Sequence, residues 1–242
     1  MRVTVLGNSG TYAGPDAACT GYLVQGGGVN VLLDCGPGVV SNLQRHLPLT
    51  EIDAVVLTHS HPDHWLDFPV LRNALRYCLY VDAVPAFGTA ETLQKALVVL
   101  DDEVAPTFVW TTIDPTSTLG IGGQRWRFVL TDHPVETLAP RVDVDDASFA
   151  FSADTGPYLD ARQLGPDLDL FICEASLPVA LEGMAPHVSG REAAVLARSA
   201  GARRLALTHV VPGYDADQHR AEAEMEYGAA VEMADIGTVF DI

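Results

Sequence analysis

Positive charge is scarce in this 242-residue chain. A single lysine, Lys95, stands beside thirteen arginines, against 32 acidic residues, for a formal net charge of −18. Such a surface repels phosphate backbones at long range, which disfavours tight binding to duplex nucleic acid or an anionic membrane and favours solubility. Cysteine is also sparse: Cys19, Cys35, Cys78 and Cys173 are scattered, with no CxxC pair, and read as free thiols in a reducing compartment. No apolar run reaches membrane-spanning length, and Met1-Arg2-Val3-Thr4-Val5-Leu6 enters a strand pattern with no room for a charged leader. A soluble, cytoplasmic protein is expected. The turn Gly7-Asn8-Ser9-Gly10 lacks the GxGxxG spacing and a following helix, so dinucleotide binding is excluded. Repeats and low-complexity linkers are absent too. With 48% apolar residues, the length predicts a single domain over 1–242.

What is present is a regular alternation of strand and helix patterns. Strands are predicted at Arg2 to Leu6, Gly21 to Gln25, Val29 to Asp34, Ala54 to Leu57 and Val84 to Phe87. Helices are predicted at Val39 to His46, at Phe68 to Tyr80 with Asp67 as its cap, and from Ala90 to Leu100. Between Phe108 and Ser152 the pattern is strongly β, clearest at Arg125 to Thr131. The α/β alternation then resumes: a strand at Leu168 to Cys173, and a helix at Gly190 to Ala200 opened by a Ser189/Glu192 capping box. A strand at Arg203 to Leu207, a helix at Asp215 to Tyr227 and short strands near Ala230 to Met233 and Thr238 to Ile242 close the chain.

One echo links the halves. Val56-Leu57-Thr58-His59 returns as Ala206-Leu207-Thr208-His209, each at the end of an apolar strand. Two β/α halves that each deliver a histidine at a strand's carboxyl end predict two sheets packed face to face, helices outside, with the histidines along one rim.

The first of these strand ends carries the densest chemistry. His59-Ser60-His61-Pro62-Asp63-His64 places three imidazoles and a carboxylate within six residues, and these are donors that zinc and similar divalent ions prefer. His59 and His61, two apart, point the same way in extended chain, while Asp63 and His64 lie past the bend at Pro62. Two metals need about seven or eight donors. Further candidates occur where other strands run out: His133, Asp154 and His209. His46 and His219 fall in helices expected at the surface and receive no role. Cys35 and Cys173 read as small core residues, and Trp65 as a packing residue or a wall of the site.

On these residues the chain resembles a metallo-β-lactamase-fold hydrolase. His59-x-His61-x-Asp63-His64 is similar to that superfamily's signature, and His133, Asp154 and His209 match its later ligand motifs in order. The resemblance implies a four-layer αβ/βα sandwich. It further implies one metal on His59, His61 and His133, a second on Asp63, His64 and His209, Asp154 bridging, and Asp34 supporting the site from behind. Within the superfamily, Glu174-Ala175-Ser176 and His187-Val188-Ser189 resemble segments of the phosphodiesterase branch that contains ribonuclease Z. By that likeness Glu174 is a supporting carboxylate, and homodimers are common. His187 precedes a capped helix start, where amides and the dipole favour a phosphate.

Departures from ribonuclease Z shape the functional expectation. Its long arm for transfer RNA falls between the ligands matching His133 and Asp154, but here only twenty residues separate them. The loop after the first strand, basic in ribonuclease Z, reads Gly14-Pro15-Asp16-Ala17-Ala18. The expected activity is therefore hydrolysis of small phosphodiesters, cyclic nucleotides above all, by hydroxide formed between two divalent ions, zinc first and manganese or iron otherwise. Asp63 positions the nucleophile or takes its proton, and His187 assists the leaving oxygen. The alternatives are RNA 3′-end cleavage, a lactonase or thioesterase on the same fold, a di-iron redox centre, and a non-catalytic binding protein.

Overall fold

A computed structural model describes residues 1–101 and 103–242. The first half contributes β1 (Arg2–Gly7), β2 (Gly21–Gly26), β3 (Val29–Leu33), α1 (Val39–Leu43), β4 (Ala54–Val56), α2 (Pro62–Trp65), α3 (Phe68–Asn73), β5 (Val84–Gly88), α4 (Ala90–Val99) and β6 (Phe108–Thr112). The second contributes β7 (Thr118–Ile121), β8 (Gln124–Leu130), β9 (Leu138–Val144), β10 (Ala147–Phe151), β11 (Leu170–Glu174), α5 (Gly190–Ser199), β12 (Leu205–Thr208), α6 (Ala216–Tyr227), β13 (Glu232–Met233) and β14 (Val239–Asp241). Among the described residues they form two seven-stranded sheets, ordered β14-β1-β2-β3-β4-β5-β6 and β13-β12-β11-β10-β9-β8-β7. The last strand thus returns to pair with the first.

Strand alternation explains the layers. Val5, Leu33 and Val56 face Phe149, Phe151 and Ile172 of the opposite sheet. Their neighbours Leu6, Leu32 and Val55 face the first helical layer, packing with Val39, Phe68 and Ala96. Phe171 and Leu207 face α5 and α6, against Ala193, Ala197 and Ala223. Strands apolar on both faces are buried on both faces, and the result is the expected αβ/βα sandwich. The four cysteines are free, with Cys35 and Cys173 in the two outer cores.

Strand direction positions the site. β3 to β6 run parallel, as do β10 to β13. β8 shares the direction of β10 because both pair antiparallel with β9. Their carboxyl ends therefore open on one rim, where α/β sheets bind ligands. Between His133 and Asp154 the chain folds into the tight β9–β10 hairpin, turning at Asp145 and Asp146.

Some local expectations are corrected. The helix predicted to His46 ends at Leu43. The helix predicted to Tyr80 is α-helical to Asn73 and then widens into a π turn over Ala74–Leu79, ending at Tyr80 in the left-handed region (φ 56°). Asp67 does not cap its own helix. Its backbone is already helical, and its carboxylate accepts from Gly38 N at 2.9 Å and Val40 N at 3.0 Å. It thereby caps α1, whose own N-cap, Gly38, has no side chain to do so. His46 is exposed, but His219 is fully buried, its Nδ1 donating to Asp215 O at 2.8 Å. The Ser189/Glu192 capping box forms as predicted.

Candidate metal centre

Six strand ends deliver the site. Asp34 follows β3, His59 to His64 follow β4, His133 follows β8, Asp154 follows β10, Glu174 ends β11 and His209 follows β12. Asp34, Ala153 and His209 hold left-handed backbone (φ 56°, 51° and 59°), conformations that cost about 1–3 kcal/mol each and persist only under tight constraint. Two glycines make room. A Cβ at Gly36 would fall 2.0 Å from the Asp63 carbonyl oxygen, and one at Gly10 would fall 2.4 Å from that of His209.

All seven residues matched to the ligand motifs converge. The two oxygens of Asp154 address different neighbours. Oδ2 lies 3.5 Å from His59 Nε2 and 3.8 Å from His133 Nε2, and His133 Nε2 is 3.1 Å from His61 Nδ1. Oδ1 lies 3.0 Å from His64 Nε2 and 3.3 Å from His209 Nε2. Asp63 Oδ2 adds contacts of 3.2 Å to His209 and 3.8 Å to His64. One set of donors is His59, His61, His133 and Asp154; another is Asp63, His64 and His209.

Partners behind the rings assign the tautomers. Asp34 accepts from His64 Nδ1 at 2.7 Å, and also from Thr58 N and Thr58 Oγ1. With its proton given to Asp34, the Thr58 hydroxyl accepts from His59 Nδ1 at 3.1 Å. His133 Nδ1 donates to Pro186 O. Ser176 Oγ, donating to Glu174 at 2.6 Å, accepts from His209 Nδ1 at 2.9 Å. Four Nε2 lone pairs therefore point inward. Those of His64 and His209 face each other at 3.2 Å, and His59 Nε2 and Asp154 Oδ1 are buried without a hydrogen-bond partner among the described residues. Opposed lone pairs and orphaned donors call for a cation between them, so the residues fit metal.

The donors also balance charge among themselves. Burial lowers the His59 imidazole to about 3, and the His64 charge adds to this; burial also lowers His61 and His133. Burial would lower His64 and His209, but the carboxylates around them together raise both, Asp154 and Asp34 acting on His64 and Asp154 and Asp63 on His209. Asp154 and Asp63 are depressed despite burial, Asp154 by the charges of His209 and His64, Asp63 first by its hydrogen bond to His209.

His187 borders the cluster, its ring 5.3 Å from His133 and 5.8 Å from His209. Its Nδ1 bonds to Glu174 at 2.9 Å. The start of α5 is not what holds it. There Ser189 and Glu192 satisfy each other, and Glu182 takes the Ser189 hydroxyl, leaving an acidic group where a phosphate was expected. Trp65 packs in the outer core, its Nε1 donating to Ser60 O.

Sequence reasoning missed several contributors. Thr11 donates its amide to Asp63 Oδ2 at 2.8 Å. Lys95 donates to Ser60 Oγ at 2.9 Å, bracing the His59–His61 loop; its standing as the sole lysine was the available signal. Thr58 was visible as part of the Thr-His echo.

Comparison with known proteins fits this geometry. The Beta-lactamase superfamily domain matches residues 29–210. The uncharacterized protein Rv1339 of Mycobacterium tuberculosis is 33% identical, with 100% of this chain and 92% of that one covered. The crystal structure of the metallo-β-lactamase fold protein YhfI from Bacillus subtilis superposes with a TM-score of 0.90 at 30% identity, covering 99% of each chain; its name is "Probable metallo-hydrolase YhfI". Ribonuclease Z of Mycobacterium marinum is 30% identical over 96% of this chain and 95% of its own. The chain belongs to the β-lactamase superfamily and is a metallo-hydrolase of the metallo-β-lactamase fold.

Proposed function

We propose that this chain, folded as one domain, is a dinuclear phosphodiesterase acting on small nucleotides, cyclic ones above all. The observation that carries the reading is the division of Asp154, whose two oxygens each face a separate group of imidazoles. His59, His61 and His133 would hold one ion and Asp63, His64 and His209 the other, with Asp154 between them. Nitrogen and oxygen donors suit zinc, with manganese or iron as alternatives. Bound there, the ions supply an activated water and polarise a phosphoryl oxygen.

The chain's own residues do the rest. Asp63, fixed by the Thr11 amide, orients the water and takes its proton. His187 has Nδ1 tied to Glu174, which leaves Nε2 to face the substrate. Burial alone would lower that imidazole, but Glu174 raises it to about 9, so it carries a proton at neutral pH and can give it to the leaving oxygen. Asp34 holds His64 directly and His59 through Thr58.

Substrate size follows from the rim. The β9–β10 interval is a tight hairpin rather than an arm. The alignment with the marinum ribonuclease runs over 270 positions, more than the 242 this chain possesses, so the ribonuclease carries segments missing here. With a net charge of −18, these features favour a small substrate over transfer RNA. RNA 3′-end cleavage is the second reading, on the strength of that 30% identity.

The test pairs metal analysis with a substrate panel of cyclic nucleotides, an unprocessed transfer RNA precursor and neutral esters. Two equivalents of divalent metal and hydrolysis of cyclic nucleotides are expected. Asp63→Ala should abolish turnover. His187→Ala should cut it about 10²–10⁴-fold with metal content intact. Preferential cleavage of the precursor, or activity on neutral esters alone, would overturn the assignment.

A further inference from the structure

Ser176 lies behind the metal cluster, 1% exposed. Its hydroxyl has one proton and, among the described residues, four polar neighbours: Glu174 Oε2 at 2.6 Å, His209 Nδ1 at 2.9 Å, His209 O at 3.1 Å and, farthest, His187 Nδ1 at 3.5 Å. The carboxylate is nearest and charged, so it takes the proton, and the hydroxyl oxygen is left to accept from His209 Nδ1. Glu174 is itself fully buried. Its other oxygen accepts from Thr155 N at 2.6 Å and His187 Nδ1 at 2.9 Å. One carboxylate therefore anchors the loop of Asp154, the ring of His187 and, through Ser176 alone, the ring of His209.

We infer that Ser176 is a positioning residue that fixes the ring and tautomer of His209, and so sets the metal affinity of the Asp63–His64–His209 half-site. The inference rests on the two-ion reading. Without the hydroxyl, Glu174 Oε2 loses a donor and His209 Nδ1 loses its acceptor. The ring can then turn, or move its proton to Nε2, where it blocks ligation. Among the described residues no hydrogen bond of Ser176 reaches the other half-site, whose His59 is held by Thr58 and whose His133 is held by Pro186 O. The effect should therefore be confined to one ion.

Cobalt(II) titration of metal-stripped protein, followed by visible absorption and by elemental analysis, reads this directly. Wild type should bind two equivalents. Ser176→Ala should keep the first with unchanged affinity and lose about 10–100-fold on the second, the usual range for removing a ligand's supporting partner. Ser176→Thr, which keeps the hydroxyl, should restore it. Retention of the first equivalent also serves as the folding control. If Ser176→Ala does not fold, Ser176→Thr still decides: a weakened second equivalent there overturns the inference. Equal weakening of both equivalents, or of neither, in Ser176→Ala also overturns it while leaving the two-ion reading intact. A wild type that stops at one equivalent sinks both.

Discussion

A buried carboxylate beside a mostly buried imidazole decides the pH at which His187 gives up its proton. Burial lowers the imidazole and Glu174 raises it, with the net at about 9, above the usual value of about 6.5. The folded state therefore favours the charged form. The stability this pair adds is fully present below about pH 6.5 and is lost as pH rises through about 9. In metal-free protein, the His187 resonance should titrate near 9 in an NMR pH series. In Glu174→Gln it should fall, since only the weaker charges of Asp154 and Asp63 then oppose burial. An unmoved midpoint would count against Glu174 as the cause. At this scale the candidate ligands were legible because three histidines and a carboxylate crowd one strand end and the others end strands of the same type. Their supports were not. Thr11 meets Asp63 across 52 positions and Ser176 meets His209 across 33, and a lone amide or hydroxyl leaves no pattern to read. Even the Thr-His echo misleads in part: Thr58 serves Asp34 and His59, whereas Thr208 bonds the Tyr22 hydroxyl at 2.7 Å.

Among the elements, α1 is the clearest case of support from outside. Five residues are too few for a helix to stand on its own propensity, and its N-terminal amides are answered by Asp67 from the far side of the α2 segment. Asp67→Ala should cost about 1 kcal/mol, within the range for a lost N-cap, and lower the melting temperature by roughly 2–4 °C. Calorimetry of metal-loaded protein checks this, and an unchanged melting point would deny the capping role. Element type was readable from apolar periodicity and from the Ser189 box, because those signals are local. The π turn at Ala74–Leu79 and the burial of His219 were not. The second depends on α6 lying so close to α5 that a Cβ at Gly190 would come within 2.2 Å of the His219 carbonyl.

For the whole molecule, two expectations follow from charge and from metal. A protein of net charge −18 repels anionic substrates at a distance, and salt screens that repulsion. The kcat/KM for a cyclic nucleotide should accordingly rise between 10 and 150 mM salt, by about 2–3-fold; a fall would indicate a locally attractive field at the rim. Removing metal should destabilise the fold. An ion present at a thousand times its Kd adds about 4 kcal/mol, so chelation should lower the melting temperature by roughly 8–16 °C, with restoration on adding zinc back. The layered architecture was legible from the two β/α halves, since each needs a partner for its apolar inner face.

The way Asp154 divides its neighbours has a consequence for biogenesis. His59, His61, Asp63 and His64 hang from one sheet, while His133, Asp154 and His209 hang from the other. Each proposed ion draws on both. A nascent chain that has emerged only through β6 carries four donors but cannot close either coordination shell. The last of the proposed ligands, His209, follows β12, and β14, which completes the first sheet, comes later still. Capture of the proposed ions would thus follow the docking of one sheet on the other. The proposed ions would act as rivets across the seam as well as reagents, and a misassembled molecule would be left without both at once.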